Sequence, residues 1–205
     1  MEKNDNSRAL TLLCKIIRIL TAPAILAVML SLILMFTYGE TPRSRFILLA
    51  LFTGVIPVLS YPVCFVVPAL RRKGRDFERK AAFVSSTVGY TGGVIWAAVS
   101  GAPKTVKIVC LTYFLSVLFL ILFNKVLKIK ASGHACGIFG PLLTAVMYAG
   151  YVWILPCAAI LLLVCFSSLY LKRHTLPQLL FGMLCSGTAL FLSVGIVQLI
   201  PSFSA

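Results

Sequence analysis

Seven long apolar stretches follow one another along the chain, and short polar or basic segments separate them. Because the hydrocarbon core of a bilayer is about 30 Å thick, a helix of about 20 apolar residues crosses it. The pattern therefore predicts an all-α fold, a polytopic membrane helix bundle with six to seven transmembrane helices. The stretches are residues 19–38, 46–70, 81–103, 108–123, 135–150, 153–171 and 176–200.

The count of seven depends on two of these regions. Residues 135–171 carry no charged side chain over 37 positions, and a single helix of that length would extend about 55 Å. We therefore expect two spans here, with a break at Gly150 and Tyr151. The stretch 108–123 is short, but lysines at its ends can reach the membrane interface. Six crossings remain the alternative.

Composition identifies lipid as the solvent of this chain. Hydrophobic residues make up 60% of it and charged residues 12%, with a mean hydropathy of +1.01. A globular domain has about 25% charged and about 45–50% apolar residues. We predict an integral, multi-pass cell-membrane protein with a basic N-terminal tail (1–18) and a single transmembrane domain (19–205). Residues 19–38 lack an obvious cleavage site of small residues, so they are interpreted as a first span and not as a signal peptide.

The charge balance limits the kinds of ligand that the protein is expected to bind. Nineteen Lys and Arg against five Asp and Glu give a net charge of +14. The only close acidic pair, Asp76 and Glu78, is surrounded by basic residues, which disfavours a metal-dependent transferase or synthase. The seven cysteines show no CxxC spacing, so neither a zinc site nor a disulfide framework is indicated. No metal and no cofactor are predicted. The expected anionic partner is a lipid head group and not a nucleic acid, since no soluble module is present to read a groove.

Alternation of seven crossings places most basic residues on one side of the membrane. Fifteen of the nineteen then fall on that side and four on the other. The positive-inside rule assigns the richer side to the cytoplasm. The richer side comprises residues 1–18, 71–80, 124–134 and 172–175.

Candidate chemistry lies on this same basic side. Both histidines of the chain, His134 and His174, lie at span boundaries there, and Ser132-Gly133 precedes the first of them. Phosphoryl transfer without a metal needs cations and amide dipoles around the phosphoryl oxygens, together with a nucleophile and a proton donor. The basic segment 71–80, the Ser-Gly turn and the histidines supply such groups. Taken singly, each has a simpler explanation: a topology signal, an interfacial polar residue or a helix cap.

These segments resemble the three-part signature of the type 2 phosphatidic acid phosphatase superfamily, Lys-x6-Arg-Pro, Pro-Ser-Gly-His and Ser-Arg-x5-His-x3-Asp. The parts occur in family order, and the similarity covers about residues 70–182. The matching segments are Arg72-x6-Arg79-Lys80, Ala131-Ser132-Gly133-His134 and Ser167-Ser168-x5-His174-x3-Gln178.

The resemblance implies a membrane-embedded phosphatase. Its substrate would be a lipid phosphate or pyrophosphate, polyprenyl or glycerolipid, hydrolysed through a phosphohistidine intermediate without a metal. His174 would be the nucleophile, His134 the general acid that protonates the leaving oxygen, and Gln178 the residue that orients the nucleophile. The implied phosphate-binding residues are Arg72, Arg79, Ser132, Gly133 and Ser168.

Two positions depart from the signature. Gln178 replaces Asp and offers an acceptor without a charge to stabilise an imidazolium; the comparable Asp-to-amide change in a serine protease triad lowers kcat about 10⁴-fold. Ser168 replaces Arg, and a hydroxyl cannot substitute for a bidentate guanidinium, so Lys172 or Arg173 is a candidate replacement. These departures favour a second interpretation, a catalytically inactive relative that binds or transports a lipid phosphate. A small transporter unrelated to the phosphatases is a third.

Overall fold

Residues 2–200 are described by a computed structural model, with side chains for residues 7–74 and 76–200. Every regular element in this range is helical, which confirms the predicted all-α fold. The helices are α1 (Glu2–Leu20), α2 (Pro23–Thr37), α3 (Arg43–Val66), α4 (Pro68–Arg71), α5 (Gly74–Val99), α6 (Lys104–Val126), α7 (Gly133–Ala149), α8 (Ile154–Tyr170) and α9 (Leu176–Leu199).

Five of the described helices are long and apolar enough to cross a membrane, namely α3, α5, α6, α9 and α8 with the turn before it. A sixth crossing results if α1 and α2, which meet at a bend of 51°, form one broken span. Helix α7 is also apolar, but its 17 residues extend only about 26 Å. The chain is thus a multi-pass membrane protein, and each of the seven predicted stretches overlaps one of these helices.

The predicted break at Gly150 and Tyr151 is confirmed. Helix α7 ends at Ala149, and Gly150 adopts a φ of +106°, a conformation that residues with a Cβ rarely adopt. A single turn, Tyr151–Trp153, then leads into α8. The long uncharged block therefore folds as two helices.

Helices α6 and α7 lie at the centre of the bundle. Helix α9 packs along both of them, α2 covers another face of α7, and α5 packs on α6. The closest approaches require glycine: a Cβ at Gly182 would lie 2.3 Å from the carbonyl oxygen of Ser132, and one at Gly137 would lie 2.7 Å from Cβ of Pro23. These contacts fix the starts of α2, α7 and α9 against one another.

Long-range hydrogen bonds define the two ends of the bundle. At one end, the hydroxyl of Tyr38 in α2 donates to the carbonyl of Tyr148 in α7 at 3.1 Å. At the other end, the backbone amide of Ser132 donates to the carbonyl of Gln178 at 2.8 Å. The starts of α7 and α9 therefore lie together, as expected for alternating crossings.

The basic N-terminal segment is helical. Residues 2–20 form helix α1, which packs against α8. The helix stops before Pro23, which has no backbone N–H to continue it, and the chain bends there by 51°. Hydropathy does not reveal this helix because its basic residues dilute the apolar signal. Its outer face is apolar, with exposed Leu12, Leu13, Ile16, Ile19 and Leu20.

Candidate functional site

Most of the predicted site residues lie at helix ends on one face of the bundle. They come from the beginnings of α5, α7 and α9 and from the last turn of α8. In chain order they are Arg79, Ser132, Gly133, His134, Ser168, His174 and Gln178.

Ser132 is the N-cap of α7. Its hydroxyl accepts a hydrogen bond from the amide of Ala135 at 3.2 Å, and its own amide donates to the carbonyl of Gln178. Ser132 is 1% exposed, so its side chain serves the helix start. The Ser-Gly turn thus has the structural role of a cap, and it also ties the segment before His134 directly to the helix that follows His174.

Asn124 holds the segment that leads into this turn, although in the sequence it is only a polar residue near the end of a span. Its Oδ1 accepts from the amide of Ala131 at 3.0 Å, and its Nδ2 donates to the carbonyls of Ala131 at 3.2 Å and Leu120 at 2.9 Å. The loop between α6 and α7 is therefore closed next to the candidate site.

Gln178 contacts both His174 and the cap of α9. Its Oε1 lies 3.2 Å from Nδ1 of His174 and accepts the amide of Thr175 at 3.4 Å. Because the Thr175 amide can only donate, the shared atom is the amide oxygen, and Nδ1 of His174 must carry the proton. The lone pair of the imidazole is then on Nε2.

The surroundings of His174 favour its neutral form. Burial lowers its pKa below the ordinary value of about 6.5, the hydrogen bond to Gln178 raises it, and the positive charges of Arg18, Lys130 and Arg79 lower it. The net direction is downward. A neutral imidazole with a free Nε2 is the form that can act as a nucleophile.

His134 occupies the first turn of α7 and is half-buried. Its Nε2 is enclosed and has no hydrogen-bond partner among the side chains and backbone of the described residues. His134 lies within range of the charges of both Arg18 and His174. The two histidines therefore belong to one cluster, and one ring nitrogen in it is enclosed without a partner.

Arg18 also belongs to this cluster, and its place there was not predicted from the sequence. Its Nη1 donates a hydrogen bond to Oγ of Ser168 at 2.5 Å, and Ser168 is fully buried. In the sequence, Arg18 is one of several cations in a basic N-terminal segment, and 150 positions separate it from Ser168. Only the packing of α1 on α8 brings them together.

The other basic residues are divided by the fold. Arg79 and Lys130 are exposed, and their charges act on His174. Arg72 is exposed at the end of α4, and within residues 7–74 and 76–200 no hydrogen bond or charge interaction links it to the other candidate residues. The side chain of Arg173 is exposed but lies within charge range of Arg18. Arg79, not Arg72, is therefore the residue of the first segment that reaches the cluster.

Two cavities adjoin the site. One, of about 570 Å³, opens beside Arg79 and Lys125, and the other, of about 210 Å³, lies deeper between α5, α6 and α7. Both are lined by Phe83, Leu120 and Gly133. The two cavities therefore share a wall beside the Ser-Gly-His turn.

Comparisons with known proteins provide no relative for this arrangement. No protein-family model, no curated protein and no solved structure matches the chain. The chemistry of the site is accordingly inferred from its own residues and their geometry.

Proposed function

We propose that the protein is a membrane phosphatase that hydrolyses a lipid phosphate or pyrophosphate through a phosphohistidine at His174, without a metal. The observation that carries the proposal is the cluster of His174 and His134 among cations, with Gln178 fixing the tautomer of His174. A nucleophile, a proton donor and a phosphate-binding charge are the three requirements of metal-free phosphoryl transfer.

The reaction follows from this arrangement in two steps. Nε2 of His174 attacks phosphorus, the bond from phosphorus to the lipid oxygen breaks, and His134 as imidazolium gives its proton to that oxygen. Water then attacks the phosphohistidine, His134 takes a proton from the water, and inorganic phosphate leaves. The negative charge of the bound phosphate favours the protonated form of His134, and a substrate oxygen provides the partner that its enclosed Nε2 lacks.

A lipid substrate is favoured over a soluble phosphate ester by the surroundings of the cluster. The cavity beside Arg79 suits an anionic head group, and the deeper cavity accepts the first part of a tail. The bundle around it exposes large apolar side chains, as expected of a protein embedded in a bilayer.

The test is phosphate release by purified protein in detergent with EDTA. The panel consists of phosphatidate, phosphatidylglycerophosphate and polyprenyl mono- and pyrophosphates. Release is expected with at least one of them, His174→Ala abolishes it, and acid-labile phosphate remains on the protein after a rapid quench. Leu176→Ala, an exposed position two residues further along, is the matched control and retains activity. Release that persists in His174→Ala contradicts the mechanism.

A second function is favoured by the same Gln178. Because its amide carries no charge to stabilise an imidazolium, the site is also suited to a catalytically inactive relative that binds or transports a lipid phosphate. Saturable binding of a lipid phosphate with no release from any member of the panel would identify this function.

A further inference from the structure

Arg18 is the best-placed cation of the cluster, and nothing in the sequence signature accounts for it. It is half-buried, bonded to Ser168, and near enough to both His134 and His174 for its charge to act on them. Arg79 and Lys130, by contrast, are exposed.

The guanidinium of Arg18 has more N–H donors than its hydrogen bond to Ser168 uses. An arginine carries five N–H donors in a planar fork, and one hydrogen bond goes to Oγ of Ser168. Among residues 7–74 and 76–200, no carboxylate forms an ion pair with it, although Asp76 and Glu78 lie on the same side of the bundle. A partly desolvated cation is stabilised by an anionic partner, and the charge of Arg18 acts on both imidazoles.

The side chain of Ser168 is fully buried, and its hydroxyl accepts the hydrogen bond from Arg18. This hydrogen bond fixes the direction of the guanidinium. Ser168 is therefore a positioning residue. The segment Ser167-Ser168 carries no positive charge, and Arg18 on α1 supplies one.

We propose that Arg18 of α1 is a phosphate-binding residue that completes the site, with Ser168 holding it in place. The ligand chemistry is a phosphate monoester or pyrophosphate group, bound by the guanidinium fork between His134 and His174. The inference rests on the proposed function for the identity of the ligand, but it makes its own claim about which residue binds the phosphate.

The test compares four variants with the wild-type protein in lipid nanodiscs. KM and kcat are measured for the best substrate of the panel. Arg18→Ala is expected to lower kcat/KM about 10- to 100-fold, the usual effect of losing charge-assisted hydrogen bonds. The kcat/KM of Arg18→Lys is expected to lie between those of the wild type and Arg18→Ala, because an ammonium lacks the planar fork of donors. Lys15→Ala, an exposed cation one turn earlier on the same helix, is expected to match the wild type.

The decisive variant is the exchange Arg18→Ala with Ser168→Arg, which moves the guanidinium from α1 to α8. Recovery of at least part of the lost kcat/KM supports the proposal and also shows that Arg18→Ala failed through lost charge and not through misfolding. If Arg18→Ala equals Lys15→Ala while His174→Ala is inactive, the role of Arg18 is overturned and the proposed function stands.

A binding measurement covers the case in which no substrate is hydrolysed. Affinity is then measured for phosphatidate and for diacylglycerol, with inorganic phosphate as competitor. Binding of phosphatidate that weakens about 10-fold or more in Arg18→Ala supports the role of Arg18 although the phosphatase has failed. If inorganic phosphate binds at the site and phosphatidate does not, the site binds free phosphate and not a lipid head group. Equal binding of phosphatidate and diacylglycerol would overturn both inferences.

Discussion

The carbonyl oxygen of Ser132 lies directly against Gly182, on the helix that begins beside His174; a Cβ at position 182 would lie 2.3 Å from that oxygen. No side chain fits there without moving the backbone. The two candidate histidines are therefore held in register by a contact between a cap residue and a glycine, outside the chemistry itself.

Gly182→Ala is expected to destabilise the protein by about 1–3 kcal/mol, the usual cost of overpacking, and to lower activity because the turn before His134 must shift away from α9. Thermal unfolding in detergent and phosphate release measure the two effects. Gly195→Ala on the same helix is the control, since nothing lies within 4 Å of a Cβ there, and alanine is the better helix former. Equal stability of the two variants would refute the close contact.

Gln178→Glu is expected to raise the pKa of His174, since a negatively charged carboxylate then replaces the amide oxygen beside Nδ1. The carboxylate also stabilises the imidazolium and suits the first turn of α9, so kcat should rise. Gln178→Met, which keeps the size and loses the acceptor, serves as the opposite control. An unchanged His174 titration in Gln178→Glu would show that the two side chains do not interact in the membrane.

The acid limb of kcat/KM is expected below pH 6.5, the ordinary value for histidine, because burial and neighbouring cations lower the pKa of His174. Neutral His174 is the nucleophilic form, so lowering its pKa extends activity towards acid. The second ionisation of a phosphate monoester also falls near pH 6, so the histidine is titrated directly by NMR. In His134→Ala the single remaining imidazole is that of His174. A titration at or above pH 6.5 would contradict the burial of this side chain.

Much of the fold could be predicted from the sequence, because lipid imposes a length on every span. The break at Gly150 could be predicted, because a single helix of 37 uncharged residues would be longer than the bilayer is thick. The pairing of His174 with Gln178 was implied only by the family resemblance, because His174 precedes the N-cap of α9 and shares no helix face with Gln178. The pairing of Arg18 with Ser168 could not be predicted, because it depends on how α1 bends away from α2 and meets α8. Nor could the sequence distinguish Arg79 from Arg72, since both belong to one basic run and only the start of α5 separates them.

Single cysteines are expected to divide into two groups by accessibility. Arg72→Cys and Arg173→Cys belong to the end with the histidines, and Glu40→Cys and Lys104→Cys to the opposite end; all four positions are exposed. With seven crossings and the basic side in the cytoplasm, an impermeant maleimide labels only the second group in intact cells and the first after permeabilisation. Native cysteines form a low background, since six of the seven are buried. The reverse pattern would place the histidines outside, and a mixed pattern within one group would exclude seven crossings.

The bond between Arg18 and Ser168 also sets an order of events during synthesis. Arg18 leaves the ribosome 150 residues before its partner, at a time when neither α8 nor α9 exists. The contacts of Gln178 with Ser132 and His174 form later still, because Gln178 lies on α9. The cluster of Arg18, His134 and His174 therefore comes together only after both α8 and α9 have been synthesised.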